Sequence, residues 1–194
     1  MKYLSKRVVA YLQHNGIIST APEDESIYVY GFQTAFYTIF STVLLILSGM
    51  LLDHFFETII LIAIFYTNQT FGGGFHAKSH IKCLFVMITG LLLFIHLHNF
   101  YPSLMTTTIL ICASFAILFS FPLVLHKNKQ YLSIHKSQLI LRSRISILLE
   151  ITIIVTYLIF RGTTFIRSIS YALCLSAFSR IIGTITILNT RNVQ

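Results

Sequence analysis

Charged residues are scarce in this chain of 194 residues. Asp, Glu, Lys and Arg together make up 10% of the sequence, whereas 55% of its residues are hydrophobic. A soluble domain carries about 25% charged residues, so these few charges could not cover a water-exposed surface. The composition excludes a soluble globular domain, a disordered chain and a coiled coil. It predicts a single membrane-embedded domain over residues 1–194.

Acidic residues and cysteines are also few. Six Asp and Glu stand against fourteen Lys and Arg, which gives a net charge of +8. The positive charges lie between apolar runs and not in one patch, so they indicate orientation in a bilayer and no nucleic-acid partner. Three cysteines form an odd number without regular spacing, which excludes a disulfide-rich secreted module.

Long apolar runs predict an all-α, polytopic membrane protein with about six transmembrane segments. The second run has only ten residues, which span about 15 Å as a helix, so we expect that segment to be short or re-entrant. The six runs are Thr34–Leu52, Thr58–Thr67, Cys83–Tyr101, Leu104–Leu125, Ile145–Phe160 and Ser168–Leu188.

The N-terminal region, residues 1–33, begins with basic and apolar residues in a helical period. Lys2, Lys6 and Arg7 share one face, which predicts an amphipathic helix on the membrane surface. We expect Pro22 and the acids after it to mark a turn.

Lys and Arg are distributed asymmetrically between alternate connections. Eleven fall in the two termini and in the loops 68–82 and 126–144, against two on the opposite side. Basic residues favour the cytoplasmic side. Both termini and both loops are therefore predicted to be cytoplasmic, in a multi-pass protein of the cell membrane.

Residues 71–83 differ from the membrane segments around them. The glycines 72–74 permit a sharp bend and close packing. His76 and Cys83 follow, and a cysteine nucleophile needs a base to form its thiolate. A straight helix would separate the two residues by about 10.5 Å. We therefore expect His76 to lie in the glycine loop, folded back over a helix that starts near Ser79 and carries Cys83 in its first turn.

Two other interpretations of this stretch stay open. The glycine-rich connector could contain His76 and Cys83 by coincidence. Alternatively, His76, His80 and Cys83 have the i, i+4, i+7 spacing of a zinc-binding face. The second interpretation would suit a small membrane transporter or a metal-binding membrane protein.

The run Gly73-Gly74-Phe75-His76-Ala77-Lys78, followed by Cys83, closely resembles the signature of the accessory gene regulator B family. These are polytopic membrane cysteine endopeptidases of Gram-positive quorum-sensing systems. The segment 121–124 before the basic residues 126–129 is a weaker match, as is Tyr30-Gly31. In one departure, Gln69-Thr70 stands where the family commonly has an arginine.

The resemblance implies that Cys83 is the nucleophile and His76 the general base. The substrate would be a short signal-peptide precursor, cleaved through a thioester and released as a cyclic thiolactone. Catalysis would need no cofactor and no metal. The lipid bilayer is the other expected partner, and a homodimer is one assembly to consider.

Five further residues have roles in substrate binding under the same resemblance. The glycines would position the substrate or donate backbone N–H groups to the oxyanion. The two lysines lie in the basic loop. Their charge could serve only to orient the protein in the membrane, or they would also dock an acidic tail of the precursor. These residues are Gly72, Gly73, Gly74, Lys127 and Lys129.

Two charges fall inside predicted membrane segments. Glu150 lies five residues after Ile145, and Arg180 lies eight residues before Leu188, at depths of about 7.5 and 12 Å. An intramembrane charge is unfavourable unless it is paired or hydrated. We expect both side chains to face the interior and to pair, directly or through water.

Overall fold

The computed structural model describes residues 1–18, 22–74, 80–98, 103–121, 136–161 and 165–191. Within these ranges the chain forms seven α-helices and no strand, which confirms the all-α prediction. The helices are α1 Lys2–His14, α2 Pro22–Leu51, α3 Phe55–Gly72, α4 His80–His98, α5 Leu104–Ser120, α6 Lys136–Arg161 and α7 Ile166–Arg191.

Apolar helices and an apolar exterior point to a membrane protein. Asp24–Leu51 in α2 and Ile166–Thr186 in α7 are long and apolar enough to cross a bilayer. Large apolar side chains are also exposed on the outside of the bundle, among them Phe85, Ile159 and Phe160. An extensive apolar surface favours contact with lipid over contact with water.

The first two long helices, α2 and α3, form an antiparallel hairpin. Gly49 packs against Thr58 close to the connection, and further along Thr42 Oγ1 lies 3.3 Å from Tyr66 Oη. Because Gly49 has no side chain, the helices approach closely where the hairpin begins.

α7 runs parallel to α3. Phe56 and Phe165 have ring centroids 6.4 Å apart near the beginnings of these helices, and Gly72 meets Arg180 toward their ends. We call the end of the bundle where α3 finishes at Gly72 the glycine end. The far end is the one where Phe56 and Phe165 meet.

The other helices keep the alternation of direction. α5 runs parallel to α7, since Ser114 Oγ donates to Cys174 Sγ at 3.3 Å and Leu118 contacts Arg180. α6 runs the opposite way, because Tyr157 packs on Phe165 at the far end. α2, α4 and α6 therefore run toward the far end, and α3, α5 and α7 run toward the glycine end.

α7 is the central helix of the bundle. One hydrophobic cluster joins it to α2, α3 and α4, and a second joins it to α5 and α6. Tyr171 and Ala172 belong to the first cluster, and Leu173 and Ala177 to the second. α7 packs directly against α3, α4 and α5, and the two clusters connect it to α2 and α6.

The helix over the second apolar run is longer than the predicted short segment. α3 is a continuous helix of 18 residues, about 27 Å long. It continues through its polar end because Asn68 and Gln69 have partners on other helices inside the bundle. The loop expected over residues 68–82 is correspondingly shorter, since its first five residues are helical.

The first residues of two other helices, α2 and α6, also differ from the prediction. α2 begins at Pro22, so residues 23–25 are helical, and Asp24 and Glu25 lie in the first turn, where negative charge is favourable. The predicted turn there is wrong. α6 begins at Lys136, so the second half of the basic loop 126–144 is helical.

The predicted amphipathic helix is present as α1. Val9 is buried, whereas Lys2, Lys6 and Arg7 are exposed. α1 packs against α2, which fixes it to the bundle.

Candidate functional site

The three glycines after the polar end of α3 each have a structural reason to be glycine. A Cβ on Gly72 would overlap the guanidinium of Arg180. Gly73 has φ 66° and ψ 176°, a region that only glycine occupies readily. A Cβ on Gly74 would stand 2.7 Å from Ser179 Oγ. The expected bend is therefore at Gly73. Arg180 of α7 fills the space at Gly72, and Gln69 of α3 with Ser179 of α7 fills the space at Gly74.

Arg180 is the largest fully buried side chain at the glycine end, with 2% of its surface exposed. Its Nη1 donates to the carbonyl oxygen of Leu118, in the last turn of α5. Its Nη2 is the atom closest to Gly72. One guanidinium thus lies between the ends of α3 and α5.

Polar side chains of α3 bind two neighbouring helices. Gln69 Nε2 donates to Ser179 Oγ on α7. Asn68 Nδ2 lies 3.0 and 2.9 Å from the two carboxylate oxygens of Glu150 on α6. These contacts form a layer of polar contacts between helices at the glycine end.

Glu150 and Arg180 both face the interior, as predicted, with 8% and 2% of their surfaces exposed. The direct ion pair is not present among the described residues, where the one ion pair joins His54 and Glu57. The physical reason is the position of α3, which packs against both α6 and α7. Asn68 on α3 donates to both carboxylate oxygens of Glu150.

Cys83 lies on the inward face of α4. It is the fourth residue of that helix, which begins at His80, close to the predicted start. Its thiol is half-buried. Met87 and Leu91 follow at intervals of four residues, and both are buried in the core.

Contacts between α4 and α7 fix the height of Cys83 in the bundle. Tyr171 Oη donates to the carbonyl oxygen of Gly90 at 2.7 Å, and Leu175 lies 3.6 Å from where a Cβ of Gly90 would stand. Along α4, Cys83 lies about 10.5 Å from Gly90 toward the glycine end. Along α7, Arg180 lies about 7.5 Å from Leu175 in the same direction. The thiol and the guanidinium therefore lie at similar heights.

Several predicted site residues lie outside the described part of the chain. These are His76, Lys127 and Lys129, together with Ser79. Among the described residues, no group of three or more His, Cys, Asp or Glu side chains could hold a metal ion. That finding does not test the predicted metal-binding face of His76, His80 and Cys83, because His76 lies outside the described residues.

The sequence profile of the family described as accessory gene regulator B matches residues 5–187. This chain belongs to that family. The match includes the glycine run, Cys83 and Arg180, and it confirms the resemblance noted from the motif. Comparisons with curated proteins and with solved structures give no match.

Membership of the accessory gene regulator B family connects the chain with the processing of a quorum-sensing peptide. The sequence predicted the glycines and Cys83 as site residues, and it did not predict that Asn68, Gln69 and Ser179 are partners within the bundle. Polar residues at the end of an apolar run were the available signal, because such residues need partners in a membrane.

Proposed function

We propose that this chain is a membrane cysteine endopeptidase that cleaves a short signal-peptide precursor. Cys83 is the nucleophile, and His76 is the general base. Six helices, α2 to α7, cross the bilayer, and both termini lie in the cytoplasm. The observation that carries the proposal is the position of Cys83 on the inward face of α4, at the height of the glycine end, in a chain of this family.

The proposed reaction begins with transfer of the thiol proton from Cys83 to His76. The thiolate attacks the scissile carbonyl carbon, and a C–S bond forms. The C–N bond then breaks, and the leaving amine takes the proton from the imidazolium. The N-terminal part of the precursor stays on Cys83 as a thioester.

Release follows from a second thiol, which belongs to the peptide itself. It attacks the thioester carbonyl, the bond to Cys83 breaks, and Cys83 regains a proton. The product is a cyclic thiolactone. No oxidant and no metal is needed, because every step is an acyl transfer.

The substrate-binding residues act at the same end of the bundle. Gly72, Gly73 and Gly74 position the peptide or donate backbone N–H groups to the tetrahedral oxyanion. Lys127 and Lys129 dock an acidic tail of the precursor. The Gly73 N–H donates to the carbonyl oxygen of Gln69 at 3.2 Å, so the bend at Gly73 supports a positioning role more than donation to the oxyanion by that N–H.

The test is co-expression with a precursor, taken as the short peptide with an internal cysteine encoded by a neighbouring reading frame. Cys83→Ala and His76→Ala should each abolish cleavage while the protein still inserts into the membrane. Cys112→Ala and Cys174→Ala are matched controls that should leave cleavage largely intact. Cleavage by the Cys83→Ala protein would overturn the proposal.

A second comparison separates the peptidase from a metal-binding protein. Iodoacetamide should inhibit cleavage, and a chelator should not. His80→Ala should have a mild effect, because His80 has no role in the proposed reaction. An effect as large as that of His76→Ala would favour the metal site instead.

A further inference from the structure

α1 has an exposed outer surface that the peptidase function does not use. The helix packs against α2, and its buried residues are Ser5 and Val9, with 0% and 1% of their surfaces exposed. The residues around the rest of the helix are open to a partner outside the chain. They include Lys2, Tyr3, Leu4, Lys6, Arg7, Ala10 and Tyr11.

The exposed residues of α1 form an apolar edge and a basic edge. At about 100° per residue, Leu4 and Tyr11 lie within about 20° of each other around the helix, whereas Lys6 lies about 160° from Leu4. Leu4 and Tyr11 have 47% and 68% of their surfaces exposed. A helix with this division lies flat at the boundary between lipid headgroups and acyl chains, with its apolar edge toward the acyl chains.

The length of α2 provides a place for such a helix. α2 has 30 residues, about 45 Å, whereas the hydrocarbon core of a bilayer is about 30 Å thick. Its uninterrupted apolar run begins at residue 34, and residues 22–33 before it include three acids. The first part of α2 therefore extends out of the hydrocarbon at the glycine end of the bundle.

α1 lies beside this first part of α2. Gly16 has φ 67°, and the N–H groups of Gly16 and Ile17 donate back to carbonyl oxygens in the last turn of α1. The chain thus turns at the end of α1, which packs back against α2. A position within the hydrocarbon is excluded because Lys2 and Lys6 are exposed.

Exposed tyrosines occur at the same level of the molecule. Tyr3 on α1 and Tyr30 on α2 have 71% and 54% of their surfaces exposed, and Tyr30 lies only about 6 Å before the apolar run of α2. Tyrosine is enriched where a membrane meets water, because its ring is apolar and its hydroxyl is polar. These side chains suit a layer of lipid headgroups better than water alone.

The charge of α1 indicates which headgroups it contacts. The helix contains Lys2, Lys6 and Arg7 and no acidic residue. The Arg7 guanidinium lies 5.3 Å from the centroid of the exposed Tyr3 ring, which keeps this charge on the outer surface. A second copy of α1 would bring like charges together, whereas an anionic membrane surface attracts each of them.

We propose that α1 binds anionic phospholipid, with Leu4 and Tyr11 inserted into the headgroup layer. Lys2, Lys6 and Arg7 contact the negative charges of the headgroups. Because α1 is packed against α2, this contact also fixes the depth of the glycine end relative to the membrane surface. The proposal does not depend on the reaction that the chain catalyses.

The experiment uses the absence of tryptophan from the chain. Tyr11→Trp places a single fluorophore on the apolar edge of the full-length protein. The protein is reconstituted into vesicles of phosphatidylcholine, or of phosphatidylcholine and phosphatidylglycerol in equal parts. The readouts are the emission maximum and the quenching by phosphatidylcholine that is brominated in its acyl chains. Ala10→Trp is the matched control, an exposed position about 40° from Lys6 on the basic edge.

Tyr11→Trp should emit at shorter wavelength and be quenched more strongly in the anionic vesicles, and Ala10→Trp should be quenched little in either. Replacing Lys2, Lys6 and Arg7 together by Gln should weaken the lipid contact by about fivefold for each charge removed. High salt should weaken it in the parent chain as well. Arg167→Gln removes an exposed charge at the far end and should leave the fluorescence of Tyr11→Trp unchanged.

Equal quenching of Tyr11→Trp in neutral and anionic vesicles would overturn the proposal. So would the emission of a fully hydrated tryptophan in the anionic vesicles, or equal quenching of the tryptophans on the two edges. A shift to shorter wavelength that depends on protein concentration, without quenching, would mean that a second copy covers the edge, which also overturns it. Leu4→Trp, on the same edge, decides the question if Tyr11→Trp does not fold.

Discussion

Gly73 has a backbone conformation that a side chain would strain. With φ 66° and ψ 176°, Gly73→Ala should destabilise the protein by about 1–3 kcal/mol. Thermal unfolding of the purified protein in detergent measures this change. Gly31→Ala is the control, because Gly31 is in a helix, has no positive φ and has open space around it. Equal transition temperatures for Gly73→Ala and the parent would contradict the prediction.

Gly72 and Arg180 should be energetically coupled, because a methyl group on Gly72 would occupy the space of the guanidinium. Gly72→Ala should lower stability in the parent protein and have little effect in an Arg180→Ala background. The double-mutant cycle should give a coupling of about 1–3 kcal/mol. Additive effects would mean that the guanidinium moves aside without loss.

At the scale of the element, α3 is held to α6 by a buried polar contact. Asn68→Leu should leave the carboxylate of Glu150 buried without its donor, at a cost of about 3 kcal/mol. Asn68→Leu with Glu150→Leu should regain most of this loss, because the charge is then removed as well. Unfolding transitions of the single and double variants test the prediction, with exposed Asn15→Leu as the control.

If Asn68→Leu unfolds at the same temperature as the parent, the contact between α3 and α6 contributes little. A double variant less stable than Asn68→Leu would show that Glu150 has another partner in the bundle.

The sequence allowed some elements to be predicted better than others, for physical reasons. The start of α4 was predictable because the apolar run that forms this helix is a local feature of the sequence. The length of α3 was not, because its polar end is helical only through partners 82 and 110 residues away. A local pattern carries no information about such contacts. Arg180 could be identified as a buried charge, but its place beside Gly72 depends on the packing of α7 against α3.

At the scale of the whole molecule, the alternating helix directions predict which ends face the same compartment. In a background without native cysteines, Asn15→Cys should be labelled only from the cytoplasmic side by a membrane-impermeant maleimide, and Arg167→Cys only from outside. The reason is the excess of Lys and Arg at the glycine end. Labelling of intact cells, compared with labelling of opened cells, measures the side of the membrane from which each cysteine reacts. Both cysteines reacting from the same side would exclude the six-span arrangement.

The hydrogen bond from Tyr171 to the carbonyl of Gly90 has a mechanical consequence for the thiol. Each residue of an α-helix advances about 1.5 Å along the axis and about 100° around it. A slip of α4 by one residue would therefore move Cys83 by these amounts. Such a slip would break the Tyr171 bond and turn the thiol away from the bundle interior. The orientation of the Cys83 side chain is therefore set by a tyrosine that contacts α4 about two helical turns away from it.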